Sequence, residues 1–324
     1  MEKTGVGQNN VSLSIVLPVY NEAAIIPQLF ARLHATLEEL PESYEIIAVD
    51  DGSRDTSFAE LTKCAADSRV RIIRFAHNFG QTAALSAGIA LARGPIIVTI
   101  DSDLENDPAD IPRLLAKMNE GYDVVSGWRK GRWEGSYLSR KLPSRIANWL
   151  IGYLTGVKLH DYGCTLKAYR ANLVKEIKLY GEMHRFIPAY AGWHGGRIGE
   201  IQVSHTPRTT GKSNYGFSRT FRVILDLIVL VFLQRYMNRP MHFFGSWGLV
   251  SLTLGFIFGF IAFVLRIFAL RHLVETPLPI FSALFLIVGV QFILFGVIAE
   301  ILMRTYYESQ GRTPYIIKEM IVSE

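Results

Sequence analysis

The chain has 324 residues, 49% of them hydrophobic, and a formal net charge of +5. That length holds one α/β domain of about 200 residues plus an appendage. Its two cysteines, Cys64 and Cys164, have no metal-type spacing, which argues against a disulfide framework and a zinc site. They suit a reduced, cytoplasmic setting for the soluble part. The modest positive charge does not by itself choose between nucleotide phosphate, anionic lipid and nucleic acid.

Residues 1–11 form a polar tail without an apolar signal core, so no secretory peptide is expected. Leu13–Pro18 reads as a first strand, followed by a loop with Tyr20 and Glu22 and a helix over Ala23–Glu39. Tyr44–Val49 is a second strand ending in Asp50 and Asp51, with a helix over Thr56–Ala66. Val70–Phe75 is a third strand, and Gln81–Ala92 an alanine-rich helix. Ile96–Ile100 is short, β-branched and continuously apolar, the pattern of a strand buried on both faces. Asp101, Asp103 and Glu105 follow it. A helix near Asp110–Asn119 and a strand over Tyr122–Ser126 continue the alternation. Strands alternating with helices predict a mostly parallel sheet with right-handed crossovers.

Three strand ends carry acids: Glu22, then Asp50 and Asp51, then Asp101 and Asp103. Open α/β sheets bind ligands beyond the carboxyl ends of their strands. Two carboxylates at i and i+2 can close on one hard divalent cation bridging two phosphates. A solvated turn is the plain alternative for a lone Asp-x-Asp. Acids on neighbouring strand ends favour an active site instead. Neither common glycine-rich phosphate cradle is present, so metal and basic side chains are left to balance phosphate charge.

Pro18-Val-Tyr-Asn-Glu22, Asp50-Asp-Gly-Ser-Arg-Asp55, Asn78-Phe-Gly-Gln81 and Asp101-Ser-Asp-Leu104 occur in this order. The set resembles family 2 glycosyltransferases of the GT-A fold. More narrowly it resembles polyprenyl-phosphate glycosyltransferases, among them dolichol-phosphate mannose synthase and bacterial bactoprenol glucosyltransferases. The resemblance implies a GT-A domain over 12–216. It implies that Pro18, Tyr20 and Glu22 line the base and ribose, and that Asp50 and Asp51 hydrogen-bond the base or ribose. Asp101 would contact the ribose or diphosphate. Asp103 would be the main ligand of Mg²⁺ or Mn²⁺, with Asp101 and Glu105 beside it. Relatives usually carry Gln where this chain has Glu105. The resemblance also makes Asp161 a catalytic or acceptor-orienting carboxylate, with a helix cap as the plain alternative. Arg208 and Lys212, in a polar loop after a strand over Ile198–Val203, would bind the acceptor phosphate.

Between Gly127 and Tyr162 the chain is basic and aromatic, with Trp128, Arg129, Lys130, Arg132, Trp133, Arg140, Lys141 and Arg145. Arg129 directly follows a strand end and is the candidate to reach the donor diphosphate. Trp149, Leu150, Ile151, Tyr153 and Leu154 suit either a core or a membrane-proximal surface. His184 and Arg185 precede a helical stretch through Trp193 and lie within reach of phosphate in some arrangements.

Residues 217–240 read as an amphipathic helix on a membrane surface. Phe243–Leu265 and Thr276–Ala299 are uncharged runs of 23 and 24 residues, each long enough to span about 30 Å of hydrocarbon. Positive charge on the outer flanks, against Arg266 and Arg271 between the runs, predicts both termini, including the 300–324 tail, in the cytoplasm. Small residues on both spans allow close packing, and a tetramer is expected by analogy alone.

The expected activity is inverting, metal-dependent transfer of a hexose to undecaprenyl phosphate at the cytoplasmic face of a bacterial inner membrane. Glucose from UDP-glucose is the first expectation, with mannose from GDP-mannose or an aminosugar as alternatives. A processive polysaccharide synthase fits poorly, since Gln234-Arg-Tyr lacks the Gln-x-x-Arg-Trp spacing. A non-catalytic scaffold is a further alternative, though every motif acid is present. Nucleic-acid binding is disfavoured because the basic residues cluster beside the membrane runs.

Overall fold

The computed structural model describes residues 11–130, 142–177, 179, 181, 183–206, 225, 227, 229, 231, 232, 236, 239–268 and 272–310. The chain divides into two compact units, Met1–Leu227 and Ile228–Glu324.

The first unit is built on seven strands: β1 (Leu13–Val19), β2 (Tyr44–Asp50), β3 (Val70–Arg74), β4 (Ile96–Thr99), β5 (Val124–Trp128), β6 (Lys167–Arg170) and β7 (Ile198–Gln202). They lie in the order β3-β2-β1-β4-β6-β5-β7. β1 and β2 are buried along their whole length, with the polar Ser14 and Glu45 paired to each other at 2.7 Å. Side chains alternate across the sheet. Leu13, Ile15, Leu17 and Val19 join one core. Val16 faces the other, with Ile47 and Val49 of β2.

Each core is closed by helices with a fitting apolar face. α1 (Ile26–Leu37) buries Ile26, Leu29, Phe30, Leu33 and Leu37, a spacing that puts all five on one side. It starts later than the sequence suggests because Pro27 sits in its first turn, where a missing N–H costs nothing. α2 (Ser57–Cys64) and α4 (Ile111–Asn119) cover the same face. α3 (Gln81–Leu91) covers the other through Ala84, Leu85 and Ile89. Gly88 of α3 passes so close to β1 that a Cβ there would lie 2.3 Å from Cγ1 of Val16. α5 (Leu142–Thr155), α6 (Ala171–Val174) and α7 (Ile187–Trp193) complete the unit.

The sequence reading places no strand at Lys167–Arg170. β6 pairs antiparallel with β4 and with β5, while the other paired strands run parallel. Its first residue, Lys167, lies opposite Thr99 at the end of β4 and opposite Ser126 of β5. Lys167 is fully buried, and its Nζ donates to the carbonyls of Tyr162 and Cys164. Burial pushes its ammonium down to about 8.

The second unit contains α8 (Pro240–Ile267) and α9 (Leu278–Gln310). Both are long and apolar enough to cross a membrane. At 1.5 Å per residue the 28 residues of α8 reach about 42 Å. Their backbones approach at Gly248 and Gly289: a Cβ on Gly248 would lie 2.9 Å from the Gly289 carbonyl oxygen. Ser251 Oγ donates to the Phe285 carbonyl at 2.7 Å and Ser282 Oγ to the Gly255 carbonyl at 2.8 Å. Hydrogen bonds of this kind join helices where apolar burial gives no drive. Of the amphipathic stretch predicted over 217–240, most lies outside the described residues.

Two outcomes test this packing. Gly88→Ala forces overpacking between α3 and β1 and is expected to cost about 1–3 kcal/mol. A melting temperature of the detergent-solubilised protein within 1 °C of wild type, where several degrees of loss are expected for about that energy, would contradict the contact. Lys167 also predicts a pH dependence. Its folded pKa lies below the unfolded value of about 10.4. Between the two, the unfolded chain binds more protons, so stability rises with pH through that window. Compared with the non-titrating Lys167→Met, wild type should gain about 2 kcal/mol between pH 8 and 10. Denaturant midpoints that keep a constant gap would contradict this.

Candidate active site

The strand order makes the acid-bearing ends neighbours. β2, β1 and β4 lie side by side, so Glu22, Asp50 and Asp101 emerge along one edge. Pairing of β1 with β4 stops at Val16–Thr99. Val16 accepts from the Ile100 N–H, so Pro18, two residues on, faces the same neighbour. Without an N–H it adds no rung there, and the strand ends are released to diverge. Pro18, expected to line the base, lies buried near the end of β1. Tyr20 beyond it is exposed.

Asp50 and Asp51 differ in what they touch. Asp50 is fully buried, accepts from the Ser53 N–H at 3.0 Å and has Arg74 Nε at 3.4 Å from Oδ2. A cleft of about 640 Å³ opens over the turn that follows it, lined by Ser53, Arg54, Arg74, His77 and Asn78 among others. Gly52 makes the cleft wall possible. Its φ is +67°, and a Cβ there would lie 2.5 Å from the backbone of His77. Asp51 instead accepts from Asn78 Nδ2 at 2.9 Å, Phe79 N at 2.7 Å and Gly80 N at 2.9 Å. Burial, helped by the neighbouring Asp50, outweighs the Phe79 and Gly80 N–H bonds and raises its carboxyl above the usual range. So Asp51 fixes the turn that launches α3. The first residue of α3, Gln81, donates from Nε2 to Asp101 at 2.6 Å. The sequence reading quoted Gln81 within a motif but gave it no role.

Asp103 accepts from the Glu105 N–H at 3.0 Å, and Leu104 between them adopts φ +55°. A left-handed leucine is rare and marks a constrained turn. The neighbouring acids Asp107 and Asp110 are turned elsewhere, to Arg32 at 3.1 Å and Arg113 at 2.5 Å. Among the described residues no three His, Cys, Asp or Glu side chains converge as a closed metal cage. Oxygen donors on one turn suit a hard divalent cation that keeps positions for phosphate, which is how Mg²⁺ commonly binds.

Because β6 is antiparallel, the loop preceding it reaches the same edge. Arg129, just past β5, is 4% exposed. Its Nε lies 2.8 Å from Asp161 Oδ2 and its Nη2 3.2 Å from Oδ1. Its Nη1 is 3.5 Å from Glu105 Oε2. Arg129 therefore bridges Asp161 to the Asp103-Leu104-Glu105 turn. Asp161 also accepts from the Gly163 N–H at 3.0 Å, and Glu200 of β7 accepts from the Asp161 N–H at 3.2 Å. Glu200 was not singled out in the sequence.

His184 is buried, with Nδ1 2.6 Å from Thr82 Oγ1 of α3, next to Gln81. Trp149 and Tyr153 of α5 are exposed and stacked at 5.7 Å, so they are not core. The Thr206 N–H donates to the Glu105 carbonyl at 3.1 Å. Arg208 and Lys212 lie outside the described residues, as do Arg132, Trp133, Arg140 and Lys141.

Comparison with known proteins agrees with this geometry. Residues 14–178 match the model of glycosyl transferase family 2. The chain is 44% identical over 320 residues to a dodecaprenyl-phosphate galacturonate synthase of Rhizobium johnstonii, covering 96% of this chain and 93% of that protein. It is 37% identical to an undecaprenyl-phosphate 4-deoxy-4-formamido-L-arabinose transferase of Shewanella sediminis, covering 98% and 95%. The crystal structure of glucosyl-3-phosphoglycerate synthase from Mycobacterium tuberculosis in complex with Mn²⁺ and UDP-glucose superposes with a TM-score of 0.54. That match has 18% identity and covers 69% of this chain and 78% of the other. It supports the GT-A fold. With its acids gathered on three adjoining strand ends and its relatives matched almost end to end, the chain belongs to glycosyl transferase family 2 and is a glycosyltransferase.

Proposed function

We propose that this enzyme transfers a sugar from a nucleotide sugar to the phosphate of a membrane polyprenyl lipid. The observation that carries it is the Arg129 bridge from Asp161 to Glu105, on the turn that carries Asp103 beyond the end of β4. The relatives named for dodecaprenyl and undecaprenyl phosphate support the acceptor. The apolar helices α8 and α9 support a lipid substrate. For the sugar we place galacturonate ahead of the glucose expected from sequence, because the 44% identical relative is named for it.

In this scheme the cleft lined by Ser53, Arg54, Arg74, His77 and Asn78 takes the base, and Tyr20 and Glu22 contact the base or ribose. Asp101 and Asp103, with Glu105 nearby, would hold Mg²⁺ or Mn²⁺. A bound cation supplies counter-charge for the departing nucleoside diphosphate. An acceptor phosphate monoester is already largely ionised at pH 7, its second pKa being about 6. No strong base is required. The acceptor oxygen forms a bond to the anomeric carbon as the bond from that carbon to the donor diphosphate breaks, with inversion. Asp161 orients the acceptor, and Arg129 holds Asp161 against the turn carrying Asp103. Arg208 and Lys212 bind the lipid phosphate. The hairpin sits in a bacterial inner membrane with the 12–216 domain and both termini cytoplasmic, and copies associate as a tetramer.

The test uses the full chain in lipid nanodiscs with polyprenyl phosphate and radiolabelled UDP-galacturonate, UDP-glucose, GDP-mannose and a UDP-aminosugar. Label should enter the lipid phase from UDP-galacturonate. Nucleotide release with no labelled lipid from any donor would overturn the acceptor. Transfer from another donor alone would overturn the sugar. Asp103→Asn should lower transfer by 100-fold or more, about 2.7 kcal/mol of transition-state stabilisation, without lowering the melting temperature. Chelation of divalent cations should abolish turnover and added Mn²⁺ or Mg²⁺ restore it. Full activity after chelation would remove the metal from the scheme.

A further inference from the structure

Glu200 lies in β7, opposite Ser126 of β5, and belongs to no sequence motif assigned a role. Its side chain is only 13% exposed. One oxygen, Oε1, accepts from the backbone N–H groups of His160 at 2.9 Å and Asp161 at 3.2 Å. The other, Oε2, lies 2.6 Å from His160 Nδ1. The His160 ring stacks on Trp128 at 4.2 Å, with the planes 18° apart. Trp128 is the last residue of β5, and the next residue is Arg129.

Asp161 is thus held at two points. Arg129 takes its carboxylate, and Glu200 takes the peptide groups that carry it. An ionised carboxylate accepting backbone N–H groups makes a strong, directional hydrogen bond. The two holds come from β5 and β7, which pair in register, so the loop is referenced to a rigid part of the sheet. A carboxylate bearing on an acceptor needs placement within a fraction of an ångström, and 1 Å of misplacement can cost about 100-fold in rate.

We propose that Glu200 is a positioning residue for sugar transfer, acting through Asp161. It fixes the height of the 160–161 peptides above the sheet edge, while the His160–Trp128 stack stops the loop from swinging outward. This rests on the acceptor-orienting role given to Asp161 above.

Glu200→Gln keeps the size of the side chain and removes its charge. The expected result is a kcat at least tenfold below wild type, an unchanged donor KM, and a melting temperature within 2 °C. A structural role alone would lower stability and both kinetic constants together. The Asp161→Asn background separates the two further. If Glu200 works through Asp161, adding Glu200→Gln there causes little additional loss, a non-additivity expected of residues acting as one unit. Hydrogen–deuterium exchange gives a readout that needs no substrate: the amides of 160 and 161 should exchange at least tenfold faster in Glu200→Gln. A kcat within twofold of wild type, or full additivity with Asp161→Asn, would overturn the proposal. Wild-type transfer to polyprenyl phosphate is scored in the same series. Its failure would count against the acceptor assignment, and a loss confined to the variants speaks to Glu200.

Discussion

The reversal of a single strand governs this site. β6 runs against β4 and β5, so the chain enters β6 at the edge where they end. Had β6 been parallel, Asp161 would have been delivered to the opposite edge, far from Asp101 and Asp103. Lys167 holds the turn that makes the reversal, through the carbonyls of Tyr162 and Cys164. A fully buried ammonium is an expensive way to hold a loop.

From that edge the rest follows as a chain of contacts. Asp51 fixes the 78–80 turn, the turn launches Gln81, and Gln81 steadies Asp101. On the far side Glu200 and Arg129 steady Asp161, and Arg129 touches Glu105. Two carboxylate systems, one from the parallel half of the sheet and one from the antiparallel insertion, meet through a single guanidinium. One guanidinium offsets only part of that negative charge, which leaves the Asp101–Asp103 side suited to a cation.

Much of this was legible in the sequence. The apolar-rich stretches of β1, β2 and β4 marked strands within a residue or two of those found. Acids at successive strand ends pointed to a shared edge, and the strand order supplied the neighbours that this required. Two uncharged runs marked α8 and α9. What stayed hidden depended on contacts between distant residues. β6 has four residues, too short for a period to be read. Glu200 is one acid in an ordinary strand, and only the fold brings it to a loop 40 residues earlier. Asp50 and Asp51 look alike in sequence, yet one is buried against Arg74 and the other is spent on a turn. The contact between Glu105 and Arg129 likewise had no signal in the sequence.

The position of the donor diphosphate decides how the two carboxylate systems divide the work. A structure of the full chain with a non-hydrolysable UDP-sugar and Mn²⁺ measures this directly. The account predicts the diphosphate at the Asp101–Asp103 edge, the base in the cleft over the turn that follows Asp50, and the anomeric carbon facing Asp161. A diphosphate bound away from Asp103, or a sugar pointing away from the Arg129–Asp161 pair, would contradict it.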